Sequence, residues 1–159
     1  MKTSFILRIR NPIHNKKPID LYKLFQEVLG DKINDFTLPP PSFTVMQCEV
    51  IVYDEKHKSL ITKLPVLEQW TNPYGTMQGG MIDAAIDNAV GPLSMLIAPP
   101  NMTRSIETKL IKAIGMNVDF LYIKAQLVEE KKRRLTFEVS VEDAKGIIYA
   151  NSKIVNFKI

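Results

Sequence analysis

The sequence predicts an α+β fold: a curved antiparallel sheet of about six strands wrapped round one long central helix, with a helical extension in front. Two observations carry this. Residues 80–97 follow a helical pattern whose apolar side chains cover nearly the whole circumference, so the helix is buried on most sides. Behind it come strand-like runs joined by short polar turns, and hairpin-linked strands make an antiparallel sheet. A length of 159 residues suits one domain with a core large enough for such a wrap.

Residues 1–42 read as an N-terminal extension and residues 43–159 as the sheet-and-helix domain. In the opening MKTSFILRIRNP the apolar stretch is too short for a signal peptide, and arginines interrupt it. Asp20 is placed to cap a short helix in which Leu21, Leu24, Phe25 and Val28 recur at helical spacing, and Gly30 is placed to end it. The prolines of LPPP, 38–41, then stop regular structure. The run FTVMQCEVIVY, 43–53, is rich in β-branched and aromatic residues and reads as a first strand. DEKHKS makes a polar turn. LITKLPVLEQW, 60–70, is a second strand, which Pro65 breaks or confines to an edge.

The central helix is ended by APP. Its polar exceptions Asp83, Asp87, Gly91 and Ser94 fall on one narrow stripe, with Asn88 off it, and Pro92 removes one backbone donor. The runs 103–114, 116–128, 134–143 and 147–157 follow as strands. In the third of these, Leu135, Phe137, Val139 and Val141 alternate with polar residues, as in a half-buried antiparallel strand. Gly146 closes the last turn.

Composition narrows the chemistry. The single cysteine, Cys48, allows no disulfide within the chain and no cysteine-based zinc site, and its strand-like setting suits an inert buried thiol. The histidines His14 and His57 both sit in polar turns, which removes nearly all histidine-based metal or triad chemistry. No metal is expected. No window approaches the apolar length of a membrane span, so the chain reads as soluble and cytoplasmic. The net charge of +4 is a mild excess that fits an anionic small ligand or simply a solvated surface.

The chemistry concentrates in NPYGTMQGGMIDAAID, 72–87. Gly79 and Gly80 stand at a helix N-terminus, where backbone N–H groups lack internal partners and the dipole is positive. Such amides can polarise a carbonyl and hold a developing oxyanion. Asp83, near the helix start, is explained by compensation of the dipole. Asp87 lies one turn deeper, where that effect has faded, and an acid there needs a partner or a use as nucleophile or base. Asn72 belongs to a turn with Gly75.

This segment resembles the signature of hotdog-fold acyl-CoA thioesterases of the phenylacetate-pathway type: an Asn, a Gly, then His-Gly-Gly, then an acid nine residues after the His. Asn72, Gly75, Gly79, Gly80 and Asp87 match it, and the likeness runs from about Phe43 to Phe157. The resemblance implies a hotdog fold and a thioester hydrolase acting on a small or medium acyl-CoA. Asp87 is then the carboxylate that attacks the thioester or activates water. The Gly79 amide polarises the carbonyl, Gly80 shapes the turn, and Asn72 positions the acyl end or the water. It also implies a homodimer or tetramer with the site at the dimer interface, and a hydroxyl from the strand after the helix of the partner subunit, for which Ser105 fits best and Thr103 is the alternative. Coenzyme A enters only as part of the substrate, so no separate cofactor is expected.

One departure matters. The histidine of His-Gly-Gly is Gln78, which hydrogen-bonds but cannot exchange a proton. That keeps a non-hydrolytic acyl-CoA or lipid-binding protein as the alternative. A hotdog hydratase of the enoyl-CoA type ranks lower, because the histidine expected five residues after the acid is Pro92. For the coenzyme A phosphates the candidates are Arg104, Lys109, Lys112 and the run KKRR, containing Lys131, Arg133 and Arg134. Without interleaved aromatics or a reading motif, that run does not indicate nucleic acid.

Overall fold

The structure, a computed structural model, describes residues 13–159; the opening MKTSFILRIRNP, with the signal-peptide question it raised, lies outside the described residues. Helix α1, Leu21–Leu29, starts at Asp20, whose carboxylate accepts the Lys23 N–H at 3.1 Å, and stops at Gly30 with φ +56°. It buries Leu21 and Phe25, and a 3-10 turn after it buries Ile33. All three join the apolar core that also holds the central helix.

The first expected strand opens with the end of a helix and a turn. Residues Pro41–Val45 form α2, and β1 is confined to Glu49–Asp54. Proline run 39–41 explains the shift: Pro41 takes the first helical turn, where its missing N–H costs nothing. The β-branched and aromatic residues that suggested a strand serve burial instead, with Phe43 in the core. The second strand is shorter than expected. β2, Ser59–Pro65, ends where proline removes the ladder donor, and residues 68–70 make a 3-10 turn.

Helix α3, Gly79–Ile97, begins one residue earlier than the pattern indicated and ends before Pro99. Strands β3, Asn101–Leu110, β4, Phe120–Glu130, β5, Arg134–Glu142, and β6, Ile148–Lys158, follow. One six-stranded sheet results, antiparallel throughout, in the order β1-β2-β4-β5-β6-β3. β1 and β3 are its edges.

One face of the sheet packs α3. Ala85, Ile86, Ala89, Val90 and Leu93 are wholly buried, against Leu121 and Ile123 of β4 and Phe137 and Val141 of β5. The alternation read along β5 thus sets its inward face. On the opposite face Ile51, Ile61 and Tyr122 form a smaller apolar cluster, on which Ile13 packs. A helix wrapped by one curved sheet is the hotdog arrangement.

Candidate functional site

The chain enters α3 through a tied turn. The Asn72 carboxamide oxygen accepts the N–H groups of Tyr74 at 2.9 Å and Thr76 at 3.2 Å, while its Nδ2 donates to Thr76 Oγ1 at 2.9 Å. Gly75 supplies the φ of +74° that the turn requires. Asn72 therefore works first as the clip of its own loop. Beyond it, Met77 N–H donates to Ile114 O and Gln78 N–H to Trp70 O, both at 2.8 Å.

Gln78 is the N-cap of α3. Its carbonyl accepts from Met81 and Ile82, but its exposed side chain makes no capping bond. Among the described residues the N–H groups of Gly79 and Gly80 have no partner, and both point away from the helix body, as the first amides of any helix do. Gly79 is closely approached: a Cβ there would stand 3.2 Å from Leu110 Cδ1 at the end of β3, whereas Gly80 faces open space. These two amides are the electropositive element among the candidate residues.

The acids lie farther along, facing β3. Asp83 is the fifth residue of α3, beyond the first turn, and no acidic residue occupies that turn, so dipole compensation is not its role. The Thr108 hydroxyl donates to it at 2.5 Å, and the Thr108 and Ser152 hydroxyls lie 2.9 Å apart. Asp83 is a strut between helix and sheet. Asp87 accepts the Thr103 hydroxyl on Oδ1 at 2.8 Å, and its other oxygen accepts no hydrogen bond from the described residues. It is half-buried, held in orientation at one oxygen and available at the other. Next to it, Asn88 receives Ser42 Oγ at 2.9 Å and touches Met46 Sδ, tying α2 to the same stretch of helix.

Ser105 is exposed and stands just past a bulge between Thr103 and Ser105. The alternation that turns Ile106 and Thr108 toward α3 turns Ser105 to the other face, so within the chain Thr103 is the hydroxyl on Asp87. Thr103 was legible as a candidate; Thr108 was not, since only the packing of α3 on β3 brings it to Asp83.

The basic candidates divide. Lys131 at 3.0 Å and Arg134 at 2.9 Å both engage Glu129, whose carboxyl they hold below its usual range. Arg133 is exposed at the same hairpin, and Arg104 lies 5.9 Å over the Phe157 ring. Met102 and Arg134 both pair with Phe157, which places this hairpin at the Thr103 end of the sheet. Lys109 lines a cavity on the helix-free face, and Lys112 is exposed beyond β3. That cavity, of about 610 Å3, includes neither Asp87 nor Gly79 in its walls.

The candidate residues thus fall into two groups within one chain. Asn72, Gln78, Gly79 and Gly80 gather at the Leu110 end of β3, whereas Asp87, Thr103 and Arg104 gather at its other end. Gly79 and Asp87 are eight residues apart on α3, about 12 Å along the axis at 1.5 Å per residue. Burial pushes the Cys48 thiol up to about 12, which leaves it unsuited as a nucleophile. Among the described residues no group of three or more His, Cys, Asp or Glu is placed to hold a metal ion, and no helix is long and apolar enough to cross a membrane.

No family model matches the sequence, and no curated protein matches it. Solved structures do. The PaaI protein of E. coli, from the phenylacetic acid degradation operon, is 12% identical with a TM-score of 0.72, over 87% of this chain and 96% of that one. A hypothetical thioesterase from Streptococcus pneumoniae TIGR4, solved with coenzyme A, is 18% identical with a TM-score of 0.62, over 69% of this chain and 84% of that one. A Streptococcus mutans UA159 protein bound to acetyl-CoA is 19% identical with a TM-score of 0.63, over 68% and 85% of the two chains. Likeness at these identities is one of fold, and the fold is the hotdog.

Proposed function

We propose that this chain is an acyl-CoA thioesterase that works as a symmetric homodimer, each site being shared between two copies. The separation of the two groups carries this reading. One thioester carbonyl has to lie about 2.7–3.1 Å from the amide donors and about 3–3.5 Å from the attacking oxygen. The 12 Å axial gap along α3 is too long for both within one chain, even with the aspartate side chain leaning back toward the helix start. Antiparallel pairing of two β3 edges by a two-fold axis sets the Thr103 end of one copy beside the Leu110 end of the other. Asp87 of one copy then faces Gly79 of the other. Exposed Met102, Leu110 and Ile111, with Tyr74 and Met116 nearby, supply the apolar surface for such an interface.

In that site the Gly79 and Gly80 amides take the carbonyl oxygen. The free oxygen of Asp87 removes a proton from water as it attacks, or attacks the carbonyl carbon itself. In the water route the oxyanion collapses, the carbon–sulfur bond breaks, and coenzyme A leaves as the thiol with the proton that Asp87 took from water; in the direct route it leaves as the thiolate, solvent protonates it, and water then hydrolyses the acyl–aspartate anhydride to the free acid and the Asp87 carboxylate. Thr103 keeps the carboxylate oriented. Arg104 and Arg133, without a carboxylate partner among the described residues, are available to the phosphates, whereas Lys131 and Arg134 are already engaged. The solved neighbours that hold coenzyme A and acetyl-CoA support this ligand class.

Gln78 favours a second reading. Its side chain stands exposed at the N-cap without a capping bond, where it can position a ligand but not move a proton. In that reading the protein binds acyl-CoA without hydrolysing it. A panel of acyl-CoAs, assayed with a thiol-trapping reagent and in parallel by calorimetry, separates the two. Turnover that disappears in Asp87→Ala supports the thioesterase; binding without turnover across the panel supports the carrier; turnover unchanged in Asp87→Ala refutes the mechanism.

A further inference from the structure

We propose that Asn156 is a positioning residue for Asp87, acting through one buried water and the Thr103 hydroxyl. Its catalytic consequence rests on the thioesterase reading; its geometry rests only on how α3 packs against β3 and β6.

Asn156 is 2% exposed, on the face of β6 that also carries the core residue Ile154 and is turned to α3. Its carboxamide oxygen, Oδ1, is buried and accepts no hydrogen bond among the described residues. Folded proteins satisfy such an acceptor with a protein donor or an ordered water. The neighbouring amide settles which atom is the oxygen. Asn101 Nδ2 donates to Pro99 O at 2.8 Å and to Ser94 O at 3.4 Å, so the other atom of that amide is an acceptor. Asn156 Nδ2 donates to it at 2.8 Å. Turning the Asn156 amide over would set two oxygens against each other, so Oδ1 is the atom left without a donor.

The register gives that oxygen one polar neighbour across the strands. Asn156 pairs on one side with Leu135 of β5, which is apolar and wholly buried, and on the other with Thr103 of β3. Side chains directly opposed in this way have Cβ atoms about 4.5–5.5 Å apart. The Thr103 hydroxyl has a single proton, and Asp87 Oδ1 receives it at 2.8 Å. Thr103 therefore has none to give Asn156, but its oxygen still accepts. A water supplies both needs, with one proton to Asn156 Oδ1 and the other to Thr103 Oγ1. The helix leaves room for it. Asp87 meets Thr103, the Ser94 carbonyl meets Asn101, and between these contacts stands Gly91, where a Cβ would find no atom within 4 Å. Polar partners and room are the two conditions for a buried water. Its effect is one of direction. A donor on Thr103 Oγ1 commits the hydroxyl proton to Asp87, so that Oδ1 stays the held oxygen and the second oxygen stays the reactive one.

The water is read first, without an activity assay. A crystal structure of the unmodified protein is expected to show a water within about 3 Å of both Asn156 Oδ1 and Thr103 Oγ1. A protein donor on Oδ1, or no water at that position, overturns the proposal whether or not the protein hydrolyses acyl-CoA. Kinetics then reads the role. Asn156→Leu keeps a side chain of similar size and removes the amide. Its kcat for acyl-CoA hydrolysis is expected to fall about ten-fold with KM unchanged, within the range for a misplaced catalytic group. In a Thr103→Val background the same substitution is expected to change kcat by less than about two-fold, because the relay is already cut. Equal losses in the two backgrounds overturn the positioning role, since they describe a residue that acts by packing alone. Gly91→Ala fills the place of the water and suits a helix, so it is expected to give the same pair of results without a lower melting temperature, and it keeps the test open should Asn156→Leu not fold. An unmodified protein without turnover overturns the thioesterase reading, and the crystallographic result still decides the water.

Discussion

Two variants distinguish a site shared by two copies from a site within one. Gly79→Pro removes the amide at the first position of α3, where proline is tolerated and where the N–H makes no bond to the described residues. Gln78 before it already has φ −67° and ψ 139°, the extended conformation a following proline demands. The added ring meets Leu110, whose half-exposed side chain can yield to the 3.2 Å contact. Asp87→Asn removes the charge and keeps an oxygen for the Thr103 hydroxyl. Each variant alone is expected to lose about 10²–10³-fold in kcat, the scale of losing one oxyanion donor. The two are then mixed in equal amounts and allowed to exchange subunits. Random pairing makes half of the dimers mixed, and each mixed dimer has one site with Gly79 and Asp87 both intact. Acyl-CoA hydrolysis is therefore expected to recover to about a quarter of the unmodified protein. Activity that stays at the level of the separate variants places both groups in one chain and refutes the two-copy argument.

Three further outcomes follow from the packing. Phe25→Ala is expected to cost about 3–5 kcal/mol in chemical denaturation, because the wholly buried ring belongs to the core shared with α3; a loss of a few tenths means that α1 packs only loosely. Thr108→Val leaves Asp83 without its donor and is expected to cost about 1 kcal/mol, read as a lower melting temperature; an unchanged melt removes the strut role. Lys158, at 2.8 Å, and then Lys58, at 3.1 Å, hold Glu130 below its usual range. Their contribution is present above the ordinary carboxylate range and is lost as pH falls through the lowered value. Lys158→Ala should raise the Glu130 titration midpoint in a carboxyl NMR titration, and a fixed midpoint rejects the pairing.

Much of this fold was legible because its signals are local and strong. The all-round apolar run of α3 and the alternation of Leu135, Phe137, Val139 and Val141 each specify one element and its buried face. The errors came where punctuation outweighs propensity. Val45 belongs to α2 because Pro41 seeds a helical turn, and residues 66–70 leave the sheet because Pro65 cannot donate to it. The site was legible in its residue types but not in its layout. Asp87 stood out as an acid that the helix dipole does not explain, and the free amides follow from any helix start with glycines. The partners Thr103 and Thr108 depend on how α3 crosses β3, which no local pattern encodes. The same holds for Lys131 and Arg134, whose charges meet Glu129 across a hairpin.

The tied turn before α3 bears on the energetics of recognition. Asn72 closes the loop on itself, Gln78 is anchored to Trp70, and Met77 to Ile114, so the Gly79 and Gly80 donors are in place before any carbonyl arrives. A donor pair fixed in advance spends no ordering entropy when the ligand binds and needs no reorientation as charge develops. In the proposed dimer the flexible quantity is then the meeting of two subunits rather than the closing of a loop. The proposed thioesterase activity should accordingly fall with the dimer population at low protein concentration, while KM for the assembled dimer stays constant.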